Sequence, residues 1–247
     1  MSGSPSPAQR LLPRSLRRWV TRLRRWPPVG RVRFGSLRRL EPISREWGFD
    51  RGRPVDRHYI ERFLAAHATD IQGRVLEVET SRYTRLFGGD RVVRSDVLHV
   101  AGGQPDVTIV ADLVRADVIA SETFDCVIVT QTLQFIYDVK TAIGTLHRIV
   151  KPGGVVLATI PGISKVSRED MDRWGHYWSF TTCSVRRMFE EFFEPESVSV
   201  EAHGNVLSAI AFLHGLADRE LDPDELEFHD PDYEVLIGIR ARRGGSE

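Results

Sequence analysis

The stretch FDCVIVTQTLQFIYDVKTAIGTLHRIVKPGGVVLATIP, Phe124 to Pro161, constrains the fold more than any other part of the chain. Phe124 to Thr130 is a nearly unbroken apolar run of strand length. Asp138 is placed to cap a helix, because its short carboxylate can accept from the first free backbone N–H groups. Val139, Ala142, Ile143, Leu146 and Ile149 then recur at helical spacing. Lys151-Pro152-Gly153-Gly154 reads as a turn into a second apolar run, Val155 to Ile160. Strands that are apolar along their whole length need cover on both faces. Two of them joined by an amphipathic helix therefore predict a parallel sheet with helices on either side.

The same grammar runs through the neighbouring residues. Arg74 to Val78, Arg91 to Asp96 and Val107 to Ala111 read as three earlier strands. Ser81 to Phe87 is a short helix closed by Gly88-Gly89, and Asp56 opens an earlier helix that runs to about His67. Beyond Pro161 come a polar, aromatic-rich insert and a helix from Ser184 to Phe193. A strand from Ser197 to Glu201, an apolar helix from Asn205 to Ala217 and a last strand from Tyr233 to Ala241 complete the chain. Seven strands alternating with helices predict an α/β, Rossmann-like doubly wound sheet. The expected organisation is a basic arm over 1–40, a helical lead-in or lid over 41–72 and the α/β domain over 73–243.

Charge sets the arm apart. The net charge of the 247 residues is zero, yet Met1 to Leu40 holds eleven Arg and no Asp or Glu. The remaining 207 residues carry 23 basic and 34 acidic side chains. Leu16, Trp19, Val20, Leu23 and Trp26 form one face of a basic amphipathic helix that ends at Pro27-Pro28. Such a helix suits an anionic membrane surface, with Trp and Leu at the headgroup boundary, or an acidic protein face. Nucleic acid is disfavoured as a partner, because the chain beyond the arm is acidic. No run of 18 apolar residues is present to span a membrane, and the basic start lacks the apolar core of a secretory signal. Two cysteines without a disulfide framework fit a cytoplasmic setting, peripheral to the inner membrane face if the arm meets lipid. The sequence leaves the oligomeric state open.

Open α/β sheets bind ligands beyond the carboxyl ends of their strands. Glu77 in the first strand, Asp96 at the end of the second and Asp112 at the end of the third are expected there. The insert DMDRWGHYWSFT, just past the fifth strand, is the acceptor-side candidate. His176 has the intrinsic pKa of a general base and Asp172 would orient it, with Trp174, Tyr177 and Trp178 bounding a ring; alternatively those aromatics only close a hydrophobic lid. No hydrolase triad signature, phosphate loop or metal-ligand spacing occurs.

VLEV, RSDVLHV, IVADLVRAD, TFDCVIVTQTLQFI and LHRIVKPGGVVLATIP follow one another in the order and spacing of a known family. From Gly73 to about Pro161 the chain resembles the class I S-adenosylmethionine-dependent methyltransferases of the type 11 group. The resemblance implies a mostly parallel seven-stranded sheet with an antiparallel last strand, and S-adenosylmethionine as cofactor. It implies Glu77 beneath the methionine part, Asp96 as ribose ligand with Val97 on the adenine, and Asp112 at the adenine amine with Leu113 beside the ring. Thr130 and Gln131 would lie near the methionine end. The family follows its first strand with a glycine-rich loop, and this chain has Glu79-Thr80-Ser81-Arg82 instead. There Glu79 adds negative charge, Ser81 is expected to cap the next helix so that its N–H groups receive the cofactor carboxylate, and Tyr83 is expected to close one side. YTRLFGG, Tyr83 to Gly89, is similar to a bacterial sub-branch linked with glycan and secondary metabolism. The implied reaction is methyl transfer to a hydroxyl of a small molecule or glycan in biosynthesis. The rival readings are a non-methyl reaction such as cyclisation and a non-catalytic docking protein.

Overall fold

The structure is a computed structural model that describes Pro27, Pro28 and residues 30–245. The chain divides into two compact units, 1–41 and 42–247. In the first, the described residues contain one 3-10 turn, Gly35–Leu37, and Arg38 stacks over the Phe34 ring. The amphipathic helix expected within residues 14–26 lies outside the described residues. Among those described, no helix is long and apolar enough to cross a membrane.

The second unit is built on one seven-stranded sheet. Its strands are β1 (Gly73–Val78), β2 (Val92–His99), β3 (Ile109–Val110), β4 (Phe124–Thr130), β5 (Val150–Pro161), β6 (Val198–His203) and β7 (Leu236–Arg242). Their spatial order is β3-β2-β1-β4-β5-β7-β6. β1 to β5 pair in parallel, and β7 runs antiparallel to both β5 and β6. The doubly wound α/β sheet with an antiparallel last strand is therefore as expected. One face is covered by α2 (Val139–Ile149) and α4 (Thr182–Phe189), packed on Val127, Val129 and Val156. The other is covered by α1 (Val55–Ala66) and α5 (Val206–Leu213), packed on Val75, Ile128 and Leu157. Two shorter helices are α3 (Arg168–Arg173) and α6 (Pro223–Glu227).

β4 and α2 occupy the residues that the apolar runs predict, and the Asp138 carboxylate accepts from the Thr141 N–H at 3.2 Å. Other boundaries moved. Lys151-Pro152-Gly153-Gly154 is no turn: β5 begins at Val150, and the four residues bulge within it, so the register jumps from Phe124↔Val150 to Cys126↔Val155. The physical reason is at hand: Lys151 Nζ reaches the Asp125 carboxylate at 2.8 Å, which holds the loop against β4. β2 runs three residues past Asp96, which decides the site described below. Asp56 lies in the first turn of α1 with Pro54 at the cap, because proline already has the backbone angle that a helix start needs.

α1 is fixed tightly to the sheet. Phe63 is 1% exposed and lies over Gly238 of β7, where a Cβ would come within 2.5 Å of its ring. Tyr59 is fully buried and its hydroxyl donates to the Leu226 carbonyl at 3.0 Å. Burying each such ring contributes roughly 2–3 kcal/mol before ordering costs.

Candidate active site

The chain runs from β1 outward through β2 to β3, then crosses back to place β4 on the other side of β1. A crevice at the carboxyl ends is the consequence, since the connections leave these strands in opposite directions. A cleft of about 650 Å³ opens there. Val78 and Glu79 line it from β1, His99 and Val100 from β2, Asp112 and Leu113 from β3, and Gln131 from β4. Tyr137, Asp170, Trp174 and Tyr177 form its outer wall.

Two of the lining residues are held in backbone conformations that glycine favours. Glu79 has φ 78° and Gln131 has φ 50°, directly beyond adjacent strands. Left-handed non-glycine residues cost about 1–3 kcal/mol and persist where surrounding bonds over-determine them. Here the Glu79 N–H donates to the Leu98 carbonyl at 2.8 Å, and the Gln131 N–H to the Thr159 carbonyl at 2.8 Å. Gln134, 3% exposed, then ties the loop together: its amide donates to the Gln131 carbonyl at 2.9 Å. The Gln134 carbonyl accepts from the Tyr177 N–H at 2.9 Å, and the Trp178 indole donates to the Ile136 carbonyl at 2.9 Å. The insert after β5 is thereby pinned to the turn after β4.

Asp112 accepts from the Val114 N–H at 2.9 Å and caps the 3-10 turn Leu113–Arg115, and Leu113 is 4% exposed beneath it. Glu79, Asp112, Asp138 and Asp170 bring four carboxylates to the cleft, against the single guanidinium of Arg115. Hydrogen bonds from the Thr141 hydroxyl and N–H hold the Asp138 carboxyl below the ordinary carboxylate range. The cleft is therefore suited to cationic groups.

Of the expected cofactor-side residues, Glu79, Asp112, Leu113 and Gln131 come together around the cleft. The others do not reach it. Asp96 lies inside β2, 1% exposed, and its carboxylate is taken by Arg74 Nε at 2.7 Å, Arg94 at 3.1 Å and the Thr108 hydroxyl at 3.2 Å. Burial raises the Asp96 pKa, but the two arginines outweigh it and hold the carboxyl below its usual range. Val97 is 2% exposed and buried beside it. The residues at the tip of β2 are instead His99, whose Nδ1 lies 2.9 Å from the Ala101 N–H, and Val100.

Glu77 is buried within the loop. Its two carboxylate oxygens accept from the Tyr83 N–H at 3.0 Å, the Thr84 N–H at 2.7 Å and the Thr84 hydroxyl at 2.7 Å. Glu77, and not Ser81, thus caps the turn that continues into the π-helical Thr84–Gly88. Burial raises the Glu77 pKa, and these hydrogen bonds oppose the rise. Tyr83 turns away from the cleft into the core under α1, with its hydroxyl 3.3 Å from Arg57. Thr130 is buried, and its carbonyl accepts from the Thr132 hydroxyl.

On the acceptor side, neither His176 nor Asp172 lines the cleft. His176 packs edge-on against Phe135 at 5.2 Å, and burial lowers its pKa against the weaker pull of Asp170. Asp172 is exposed and makes no bond to it. The helix α3 rotates Asp170, two residues earlier, toward the cleft instead.

A family model described as a methyltransferase domain matches residues 61–158, from within α1 to within β5. No curated protein matches the chain. Among solved structures, an S-adenosylmethionine-dependent methyltransferase from Archaeoglobus fulgidus aligns with a TM-score of 0.51 and 10% identity, covering 75% of this chain and 94% of its own. A protein from Galdieria sulphuraria described as a sarcosine dimethylglycine methyltransferase aligns with a TM-score of 0.51 and 13% identity, covering 76% and 86%. At such identities these two structures speak to the fold alone. The methyltransferase domain is thus matched across the strands that carry the cleft, and the sheet around it has the fold of S-adenosylmethionine-dependent methyltransferases.

Proposed function

We propose that this protein transfers the methyl group of S-adenosylmethionine to a hydroxyl of a small molecule or glycan in a biosynthetic setting. The observation that carries the reading is the pair of left-handed residues Glu79 and Gln131, which share one 650 Å³ cleft at the strand ends with Asp112. Strain of this kind gathers at ligand sites, and the volume is in the range of small-molecule sites. When bound, the cofactor supplies an electrophilic methyl group on a sulfonium.

The residues present fit its cationic parts. Asp112 stands ready for the nucleoside, with Leu113 and Val100 as the apolar surfaces, and Glu79 and Gln131 flank the amino-acid end. The Tyr83 and Thr84 N–H groups are committed to Glu77. They are therefore not free to receive the cofactor carboxylate. Asp170, rather than His176 or Asp172, is the titratable group that the insert brings to the cleft.

Titration calorimetry with S-adenosylmethionine and S-adenosylhomocysteine on the wild type and Asp112→Ala tests the reading. Micromolar binding that weakens at least tenfold in the variant is expected. Absence of binding at millimolar ligand overturns the assignment.

Glu79 favours a second reading. A carboxylate in place of a loop glycine is a base already inside the cleft, which suits a reaction such as cyclisation on the same scaffold. Cofactor binding without methyl transfer to any acceptor would support it. We also propose that the protein is cytoplasmic and that its arginine-rich arm holds it at an anionic membrane surface.

A further inference from the structure

The outer wall of the cleft combines exposed aromatic rings with carboxylates that have no cationic partner. Tyr137 is 72% exposed, Tyr177 49% and Trp174 40%, and all three line the same opening. Exposed aromatic side chains in such a group mark a surface that another molecule covers. The rings are held in place rather than splayed. Tyr137 meets Tyr177 edge-on at 5.3 Å and stacks on Trp178 at 6.2 Å, and Trp174 meets His99 edge-on at 6.2 Å. Gly175, at φ +87°, brings the Tyr177 ring back over the chain, where a Cβ would lie within 2.3 Å of it. The two backbone bonds to Gln134 then fix Tyr177 and Trp178 against the turn after β4.

Asp170 and Asp138 line the same opening, and neither forms an ion pair with a described residue; the Asp138 carboxylate accepts only from the Thr141 N–H and hydroxyl. The one guanidinium of the cleft, Arg115, follows β3, on the side assigned above to the nucleoside. Aromatic faces carry negative charge and attract cations, and a carboxylate beside them adds to the attraction. A neutral sugar would leave both carboxylates without a counter-charge.

We infer that the acceptor carries a cationic amine, bound against Trp174, Tyr177 and Tyr137 with Asp170 and Asp138 as its counter-charges. This rests on the reading of the cleft as a methyltransferase site and narrows its substrate class: the hydroxyl that is methylated belongs to an amine-bearing molecule, such as an amino sugar. The amine is the handle for recognition, and the inference leaves the reacting atom to the hydroxyl chemistry already described.

The probe pair is choline and 3,3-dimethylbutan-1-ol, which share shape and hydroxyl and differ in charge. Each is titrated into the full-length protein saturated with S-adenosylhomocysteine, with indole fluorescence as the readout. Choline is expected to bind about tenfold more tightly than the neutral isostere, and the preference is expected to vanish in Asp170→Asn and to shrink in Trp174→Leu. Both side chains are on the surface of the cleft, and retained S-adenosylhomocysteine affinity reports that each variant is folded. Equal affinity for the two probes, no binding of choline up to the solubility of the salt, or an unchanged preference in Asp170→Asn overturns the inference. Repeating the titration without S-adenosylhomocysteine separates the two readings: choline selectivity in a protein that binds no cofactor leaves the amine site standing and removes the methyltransferase assignment.

Discussion

Asp96 illustrates how a residue type can be right for a site and its position wrong. An aspartate near the end of a strand is a natural ribose ligand, but β2 continues to His99 and leaves Asp96 inside the sheet between Arg74 and Arg94. Its contribution belongs to stability. Its carboxyl titrates below the ordinary range in the folded protein, so the unfolded chain binds the proton more readily. The stability it supplies is therefore full above about pH 4 and is lost as pH falls through the folded value. Asp96→Asn is expected to cost about 2 kcal/mol at pH 7, as loss of charged hydrogen bonds does. In urea titrations over a pH series, the gap to the wild type should close in acid. A constant gap would mean that the charge of Asp96 contributes little.

At the scale of elements, α1 packs on the sheet away from the cleft, and the insert after β5 forms the outer wall of the cleft. The sequence reads residues 41–72, which include this helix, as a helical lead-in or lid. In the structure Phe63 and Tyr59 bury it against β7 and α6, and Gly238 is the contact that permits this. Gly238→Ala is expected to destabilise the protein by about 2 kcal/mol through overpacking against Phe63, read as a lower urea midpoint with unchanged slope. Phe63→Leu should recover part of the loss. The insert shows the opposite balance. Its aromatic content was legible as a functional signal, but its facing was not. α3 is six residues long, too short for periodicity to identify, and its rotation decides that Asp170 and not Asp172 faces the cleft.

For the whole molecule, the uneven charge is the dominant feature. Eleven arginines precede residue 41, and the rest of the chain is acidic overall. The full-length protein is expected to co-sediment with vesicles containing phosphatidylserine and to stay in solution with pure phosphatidylcholine. Release by high salt would identify attraction to the headgroups, because screening shortens the reach of such charges. Equal sedimentation with both vesicles would remove the anionic surface as the arm's partner.

The sequence by itself determined the architecture: apolar runs in β1, β4 and β5, the Asp138 cap and the α2 stripe are local patterns, and each forms where its spacing predicts except that β5 starts five residues early, at Val150. It also put Asp112 near a strand end, and the resemblance added Gln131; both line the cleft. Only the tertiary structure decided the rest. Whether β2 stops at Asp96 or His99 depends on pairing with β1 up to Leu98 and with Val110 of β3 at His99, partners outside the strand itself. Whether Glu77 faces a ligand or caps its own loop depends on how the backbone after β1 folds back over it. Glu79 adopts a left-handed conformation that no propensity would assign to glutamate, because the Leu98 carbonyl across the sheet holds its N–H. Non-local hydrogen bonds of this kind leave no trace in residue spacing, and they are what turned a recognisable sheet into this particular cleft.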